Sequence, residues 1–187
     1  MRIISGIFKG KKILIPKDNK TRPLKDLTKE SIFNIINHSS KFKINLNNSK
    51  ILDLFSGVGS FGIECLSRGA KNVVFCENYQ GVLPILKKNL IQLKLNDNFK
   101  IIEEDIYNDI SLIKLNLSFD IIFLDPPYKD KKLEKIFLKI KLNHLLKKNG
   151  IIILHRHKKD KEILPKFIKK FEEKKYGISK IYFLRIS

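Results

Sequence analysis

Lys50-Ile-Leu-Asp53-Leu-Phe55-Ser-Gly57-Val-Gly59-Ser-Phe-Gly62 is the stretch on which the fold turns. It begins as an apolar run too short for a helix, and its glycines follow at the spacing Gly-x-Gly-x-x-Gly before a helical pattern continues to Arg68. A strand that ends in a glycine-rich turn and hands the chain to a helix opens an α/β sheet, with a ligand site at the strand's carboxyl end. The alternation continues downstream. Asn72–Cys76, Phe99–Glu103, Phe119–Leu124 and Gly150–Leu154 read as strands, and Val82–Leu95, Leu133–Leu146 and Ile163–Phe171 as helices, with Pro84 tolerated in a first turn. Ile178–Ile186 reads as a last strand, paired with residues before Gly177. Such near-continuous apolar strands predict a mostly parallel sheet covered on both faces.

Upstream, Ile3 to Ile15 reads as two short strands joined at Lys9-Gly10 and ended by Pro16. Leu24, Leu27, Ile32, Ile35 and Ile36 recur at helical spacing, so 24–38 is expected to be an amphipathic helix, and the Ser- and Asn-rich 39–49 a linker. The organisation expected is therefore an extension over 1–49 and a main domain over 50–187.

The 187 residues are 43% hydrophobic, enough for one buried core. No apolar run approaches the roughly 18 residues of a membrane span, and Met1–Gly10 lacks the apolar centre of a secretory signal. Cys65 and Cys76 form no Cys-x-x-Cys pair and have no clustered histidines nearby, which argues against a disulfide scaffold or zinc module and makes a reducing cytoplasm the expected location; no metal is expected. The net charge is +19. A lysine excess spread by composition would load every segment, yet residues 51–128 carry 7 basic and 10 acidic groups. Residues 1–50 carry 12 and 3, and residues 129–187 carry 19 and 6. The centre suits a small-molecule site and the flanks suit a polyanion.

Asp53 selects the ligand. The glycine spelling, with Glu77 following Gly57 by 20 residues, also fits a dinucleotide site, or a tight turn that merely needs glycine. A pyrophosphate beside Asp53 would be repelled, whereas S-adenosylmethionine brings an ammonium and a sulfonium. In that reading Gly57 and Gly59 let the backbone approach the ligand and Glu77 accepts the ribose hydroxyls. Asp105, with Glu104 as its neighbouring competitor, accepts the adenine amino group, and Phe55 and Ile106 complete the cofactor set.

Asp125-Pro126-Pro127-Tyr128 follows the fourth strand and so opens toward the same sheet edge as Gly57. Two prolines hold a rigid turn, leaving the Asp125 carboxylate and the Pro126 carbonyl as fixed acceptors. These suit the two N–H bonds of an exocyclic amine, and Tyr128 offers a face on which an unstacked base could rest. The catalytic candidates are thus Asp125, Pro126, Pro127 and Tyr128. His155-Arg156-His157 lacks a third ligand and reads as ordinary polar residues, and Phe8, Phe33, Phe167 and Phe171 read as core.

The wider pattern resembles the RsmD family of bacterial methyltransferases, which act on N2 of one guanine in 16S ribosomal RNA. The residues that carry it are Arg2-Ile-Ile-Ser-Gly6, Lys9-Gly-Lys-Lys12, Thr21-Arg-Pro23, Lys29-Glu30, Phe33-Asn34, Leu52 to Gly57, Gly62-Ile-Glu64, Ser67-Arg-Gly-Ala70 and Phe123 to Tyr128. Leu24-Lys25-Asp26-Leu27 departs from the family's pattern. The resemblance implies a Rossmann-like class I methyltransferase fold: a seven-stranded, mostly parallel α/β sheet with helices on both faces and a small N-terminal hairpin-and-helix extension. It implies S-adenosylmethionine as cofactor and 16S rRNA, within an assembled or late-assembling small subunit, as partner of a monomer. Arg2, Lys9, Lys11, Lys12, Arg22 and Lys29 become the expected RNA contacts of the extension. Two alternatives remain at this stage: a DNA adenine-N6 methyltransferase, which shares Asp-Pro-Pro-Tyr, and an inactive RNA-binding protein of the same fold.

Overall fold

The first strand of the sheet, β1 (Lys50–Leu54), is buried on both faces because its alternate residues feed two different cores. Ile51 packs on one side with Val73, Phe75, Ile121, Phe123, Ile151 and Ile153; Leu52 and Leu54 pack on the other with Val74, Ile122, Leu124, Ile152 and Leu154. A period of two in side-chain direction thus converts an unbroken apolar run into two half-cores. The computed structural model describes residues 1–18, 24–95, 97–108, 116–127 and 130–187.

Within these the order is α1 (Asp26–His38), β1, α2 (Ser60–Ser67), β2 (Asn72–Cys76), α3 (Leu83–Ile91), β3 (Phe99–Ile102), β4 (Phe119–Leu124), α4 (Leu133–Leu142), β5 (Leu146–His157), β6 (Ile168–Tyr176) and β7 (Ser179–Ile186). The strands form one seven-stranded sheet in the order β3-β2-β1-β4-β5-β7-β6. β1 to β5 run parallel, and β7 and β6 close the sheet antiparallel. The helices α1, α2 and α3 contribute to the first half-core and α4 to the second, so both faces are covered as expected. No helix among the described residues is long and apolar enough to cross a membrane.

Two local expectations fail. Ile163–Phe171 was expected to be a helix, but Ile168 already begins the edge strand β6. Ile168 packs into the second half-core and Phe171 against the first, at 5.2 Å from the Phe42 ring. Residues three apart face opposite sides of a strand, and both sides are covered here, so the spacing that imitates a helix serves the sheet. The opening hairpin is also reduced, to the single antiparallel bridge Arg2↔Lys12. Ile3 N–H still donates to the Lys11 carbonyl, Gly10 N–H to that of Ile3 and Ile13 N–H to that of Met1, but Ile4 and Ser5 N–H donate to the Glu64 carboxylate and Phe8 N–H to Ser67 Oγ. Gly6 turns the chain at φ +82° against α2, where a Cβ would lie 1.8 Å from the Ser67 carbonyl oxygen.

The 1–49 segment shares the first half-core with the main domain through Ile3, Ile13, Leu24, Ile32 and Phe33. Phe33, Phe61 and Phe123 stack in sequence at 5.3 and 4.0 Å, linking α1 through α2 to β4. Lys29, expected to face RNA phosphate, is instead fully buried. Its Nζ donates to the Arg2 carbonyl at 2.9 Å and lies 3.4 Å from Glu64. Burial pulls the Lys29 ammonium below its ordinary pKa, partly offset by Glu64 and Asp26. It is a strut of the extension and cannot reach a phosphate.

Candidate active site

At the carboxyl ends of β1, β2 and β4 lies an open cavity of about 690 Å³, within the range of small-molecule sites. Asp53, Phe55, Ser56, Gly57, Glu77, Asp105, Tyr107, Asp125, Pro126, Pro127, Asp130 and His155 line parts of it, so one space joins the glycine turn to the Asp-Pro-Pro turn.

β1 determines the first wall. Asp53 projects to the α2 side of the sheet, where its Oδ2 accepts the Gly62 N–H at 2.9 Å. It is 1% exposed, and its Oδ1 has no hydrogen-bond partner among the described residues. Burial raises the Asp53 carboxyl well above the carboxylate range; the Gly62 N–H opposes this, and the nearby Asp125 and Glu77 add to it. Phe55 then adopts φ +61°, a strained value for a bulky residue, and Gly57 follows at +54°. This reversal brings Gly57 N–H to Glu77 Oε2 at 2.8 Å. Asn78 and Tyr79 N–H groups hold the other oxygen of Glu77 at 3.0 and 2.8 Å.

Gly59 does not line the cavity. Its φ of +83° starts α2, and a Cβ there would meet Leu86 at 2.6 Å, so its requirement is packing and turn geometry rather than ligand approach. Ile106 also stands apart: its side chain is buried in the second half-core. Asp105 lines the cavity while accepting the Tyr107 N–H at 2.9 Å. Tyr107, which the sequence did not single out, lies with Phe55 at 6.2 Å between ring centroids and donates its hydroxyl to Asp130. Burial, reinforced by Asp130, raises the Tyr107 phenol well above its ordinary pKa.

The Asp125–Pro127 turn is gripped by consecutive residues of β5. His155 meets Asp125 through Nδ1 at 2.8 Å, and Arg156 donates to the Pro127 carbonyl at 3.0 Å and the Asp130 carbonyl at 3.3 Å while pairing with Glu162. The Pro127 carbonyl also takes the Asp130 N–H, whereas no donor among the described residues reaches the Pro126 carbonyl. His155 and Arg156 were expected to be ordinary polar residues. The register Leu124↔Leu154 explains the difference: the residue after each leucine is Asp125 or His155, so the two stand side by side. Tyr128 and Arg22 lie outside the described residues. Arg2, Lys9, Lys11 and Lys12 are all exposed, on the segment that Asn89 fastens to the glycine turn by bonds to Leu14 and to the Val58 carbonyl.

The strand order, the parallel block, the antiparallel closing pair and a site at the parallel strand ends define a Rossmann-like class I methyltransferase fold. A candidate methyltransferase from Escherichia coli superposes with a TM-score of 0.81 over 100% of this chain and 97% of that one, at 24% identity. A candidate methylase from Haemophilus influenzae does so with 0.73 over 98% and 96%, at 32% identity. A family model described as "Conserved hypothetical protein 95" matches residues 1–185, and the chain belongs to that family, the RsmD family its motifs resemble. A Haemophilus influenzae protein called ribosomal RNA small subunit methyltransferase D is 33% identical over 179 residues, covering 95% of this chain and 90% of that protein. A Buchnera aphidicola protein of the same name is 35% identical over 157 residues, covering 83% and 76%.

Proposed function

We propose that this protein transfers a methyl group from S-adenosylmethionine to the exocyclic N2 of a guanine in 16S rRNA, carried in an assembled or late-assembling small ribosomal subunit. The observation that carries the reading is a single cavity holding both an acid-walled nucleoside site and a rigid pair of acceptors. The family relatives named for small-subunit rRNA support the choice of RNA. The unpartnered, buried Asp53 Oδ1 fits a cationic ligand and not a pyrophosphate. When bound, S-adenosylmethionine supplies a methyl activated on a sulfonium. Asp53 holds its ammonium, Glu77 its ribose, Asp105 its adenine amino group, and Phe55 and Tyr107 flank that end.

Asp125 and the Pro126 carbonyl accept the two N–H bonds of the target amine. Held so, the nitrogen pyramidalises and its lone pair is freed to attack the methyl that the cofactor would supply. The surplus proton on nitrogen passes to Asp125 or to water. Incubating small subunits with enzyme and cofactor should add one methyl to a guanine of 16S rRNA, read by mass spectrometry of nuclease digests. A methyl on adenine, or none, would refute the assignment.

The acid at Asp53 gives the binding a pH sign. In the free protein its carboxyl is raised, and a bound ammonium would lower it, so binding releases a proton and affinity rises with pH between the two values. Asp53→Ala removes the acceptor and should weaken cofactor binding by about 10- to 100-fold. Calorimetry at two pH values checks both the loss and the disappearance of the pH dependence.

The extension's exposed cations supply a further expectation. If Arg2, Lys9, Lys11 and Lys12 neutralise phosphates, replacing all four with glutamine should flatten the log–log salt dependence of RNA affinity by about 3 units. Replacing Lys71, Lys88, Lys94 and Lys100, which are equally exposed, should flatten it far less. Equal effects would make the charge a diffuse field.

A further inference from the structure

Asp125, on the reading above, must present one carboxylate oxygen to the substrate amine in a fixed direction. The Pro126-Pro127 pair immobilises the backbone that follows, but it does nothing to the Asp125 side chain, whose terminal torsion is broad and two-fold. Something else must hold that torsion. His155 Nδ1 lies 2.8 Å from Asp125 Oδ1, and His155 Nε2 lies 2.9 Å from Ser179 Oγ. The imidazole side chain is 7% exposed and Ser179 is buried, while the Asp125 side chain remains 20% exposed. His155 pairs with Ile181 in the β5–β7 ladder, so Ser179, two residues along, presents its side chain on the same face as the imidazole.

We propose that His155, braced by Ser179, is a positioning residue for Asp125. A carboxylate oxygen accepts, so Nδ1 is the donor to Asp125 Oδ1, and the second ring nitrogen, Nε2, shares a hydrogen bond with the Ser179 hydroxyl. Asp125 is thereby anchored through Oδ1, and Oδ2 is the oxygen left for the amine. The antiparallel strand β7 enters the chemistry in this way: it touches no reacting atom but sets the ring that sets the acid. The inference rests on the assignment of Asp125 to the amine.

The test compares His155→Ala, His155→Asn, Ser179→Ala, Asp125→Ala and the His155→Ala/Asp125→Ala double variant. Each is measured for steady-state methyl transfer to small subunits, for calorimetric cofactor affinity and for thermal midpoint. His155→Ala should lower kcat by about 10- to 100-fold, the weight of one charge-assisted hydrogen bond, with KM and cofactor affinity near wild type. His155→Asn, whose amide N–H can replace the Nδ1 donor, should recover most of that loss. Ser179→Ala should cost about 2- to 10-fold, and His155→Ala should add little in the Asp125→Ala background. The proposal is overturned if His155→Ala keeps wild-type kcat, if folded His155→Asn is no better than His155→Ala, or if the loss persists undiminished without Asp125. Should His155→Ala fail to fold, His155→Asn and Ser179→Ala decide alone: near-wild-type transfer by His155→Asn with a loss of about 2- to 10-fold in Ser179→Ala supports the proposal, whereas wild-type transfer by Ser179→Ala, or a large loss in folded His155→Asn, overturns it. Wild-type transfer by Asp125→Ala would instead overturn the underlying reading of Asp125, a separate result from any failure at His155.

Discussion

Asp125→Ala will bind S-adenosylmethionine about as tightly as wild type and transfer methyl groups about 10²- to 10³-fold more slowly. The cavity's nucleoside wall is built by Asp53, Glu77 and Asp105, each held by backbone N–H groups that the substitution leaves in place. What disappears is one of two oriented acceptors for the amine. Contacts that matter only as the transition state forms are each worth about 3–4 kcal/mol, and their loss appears in kcat rather than in cofactor binding. Asp125→Asn separates charge from shape, because its amide oxygen can still accept one N–H but cannot take the released proton; its rate should fall between the two. Single-turnover methylation of small subunits, with calorimetry in parallel, measures both quantities. A near-normal rate for Asp125→Ala would remove this residue from the chemistry.

Glu64→Leu will destabilise the protein by about 3–5 kcal/mol and release the N-terminal segment. Glu64 and Lys29 are both fully buried, and Glu64 also accepts Arg68 Nε at 2.8 Å and the N–H groups of Ile4 and Ser5. Removing the carboxylate leaves the Lys29 ammonium buried with the Arg2 carbonyl and the longer 3.8 Å pairing to Asp26, and leaves two backbone donors unmet. A buried charge stripped of its partner is among the costliest single changes a core can suffer. Urea unfolding measures the loss, and faster hydrogen exchange at Ile4 and Ser5 locates it. RNA affinity should fall with the extension loosened, while the cofactor cavity, held by other bonds, keeps its affinity. Unchanged exchange at Ile4 and Ser5 would show that the segment is held by its apolar contacts alone.

Much of the architecture was legible in the chain because its signals are local. A strand, a glycine turn and a helix are contiguous between Lys50 and Arg68, and strand ends in a parallel sheet open to one side. That argument alone was enough to bring Asp53, Glu77 and Asp125 to one expected edge, where the structure has them lining one cavity. Spacing could not distinguish a helix from an edge strand at Ile168–Phe171, because the answer depended on which cores lay on either side of β6. Nor could it tell a surface lysine from a buried one. Lys29 looks like a surface lysine in sequence, and its burial is made tolerable chiefly by Glu64, 35 positions away in the chain, with the Arg2 carbonyl and Asp26 beside it.

Gly59 and Ile106 sit in the right motifs, yet face packing rather than the cavity, a matter of backbone direction at one residue. The pairing of Asp125 with His155 required the register of β4 on β5, and that of His155 with Ser179 required the register of β5 on β7. By itself the sequence determined the α/β class, the sheet edge that bears the site and the acids that wall it, since each follows from residues adjacent in the chain. Which acid is held by which partner, and which cation is buried, was decided only by the tertiary structure, because hydrogen bonds and desolvation depend on distances of about 3 Å between strands whose relative register no local pattern encodes.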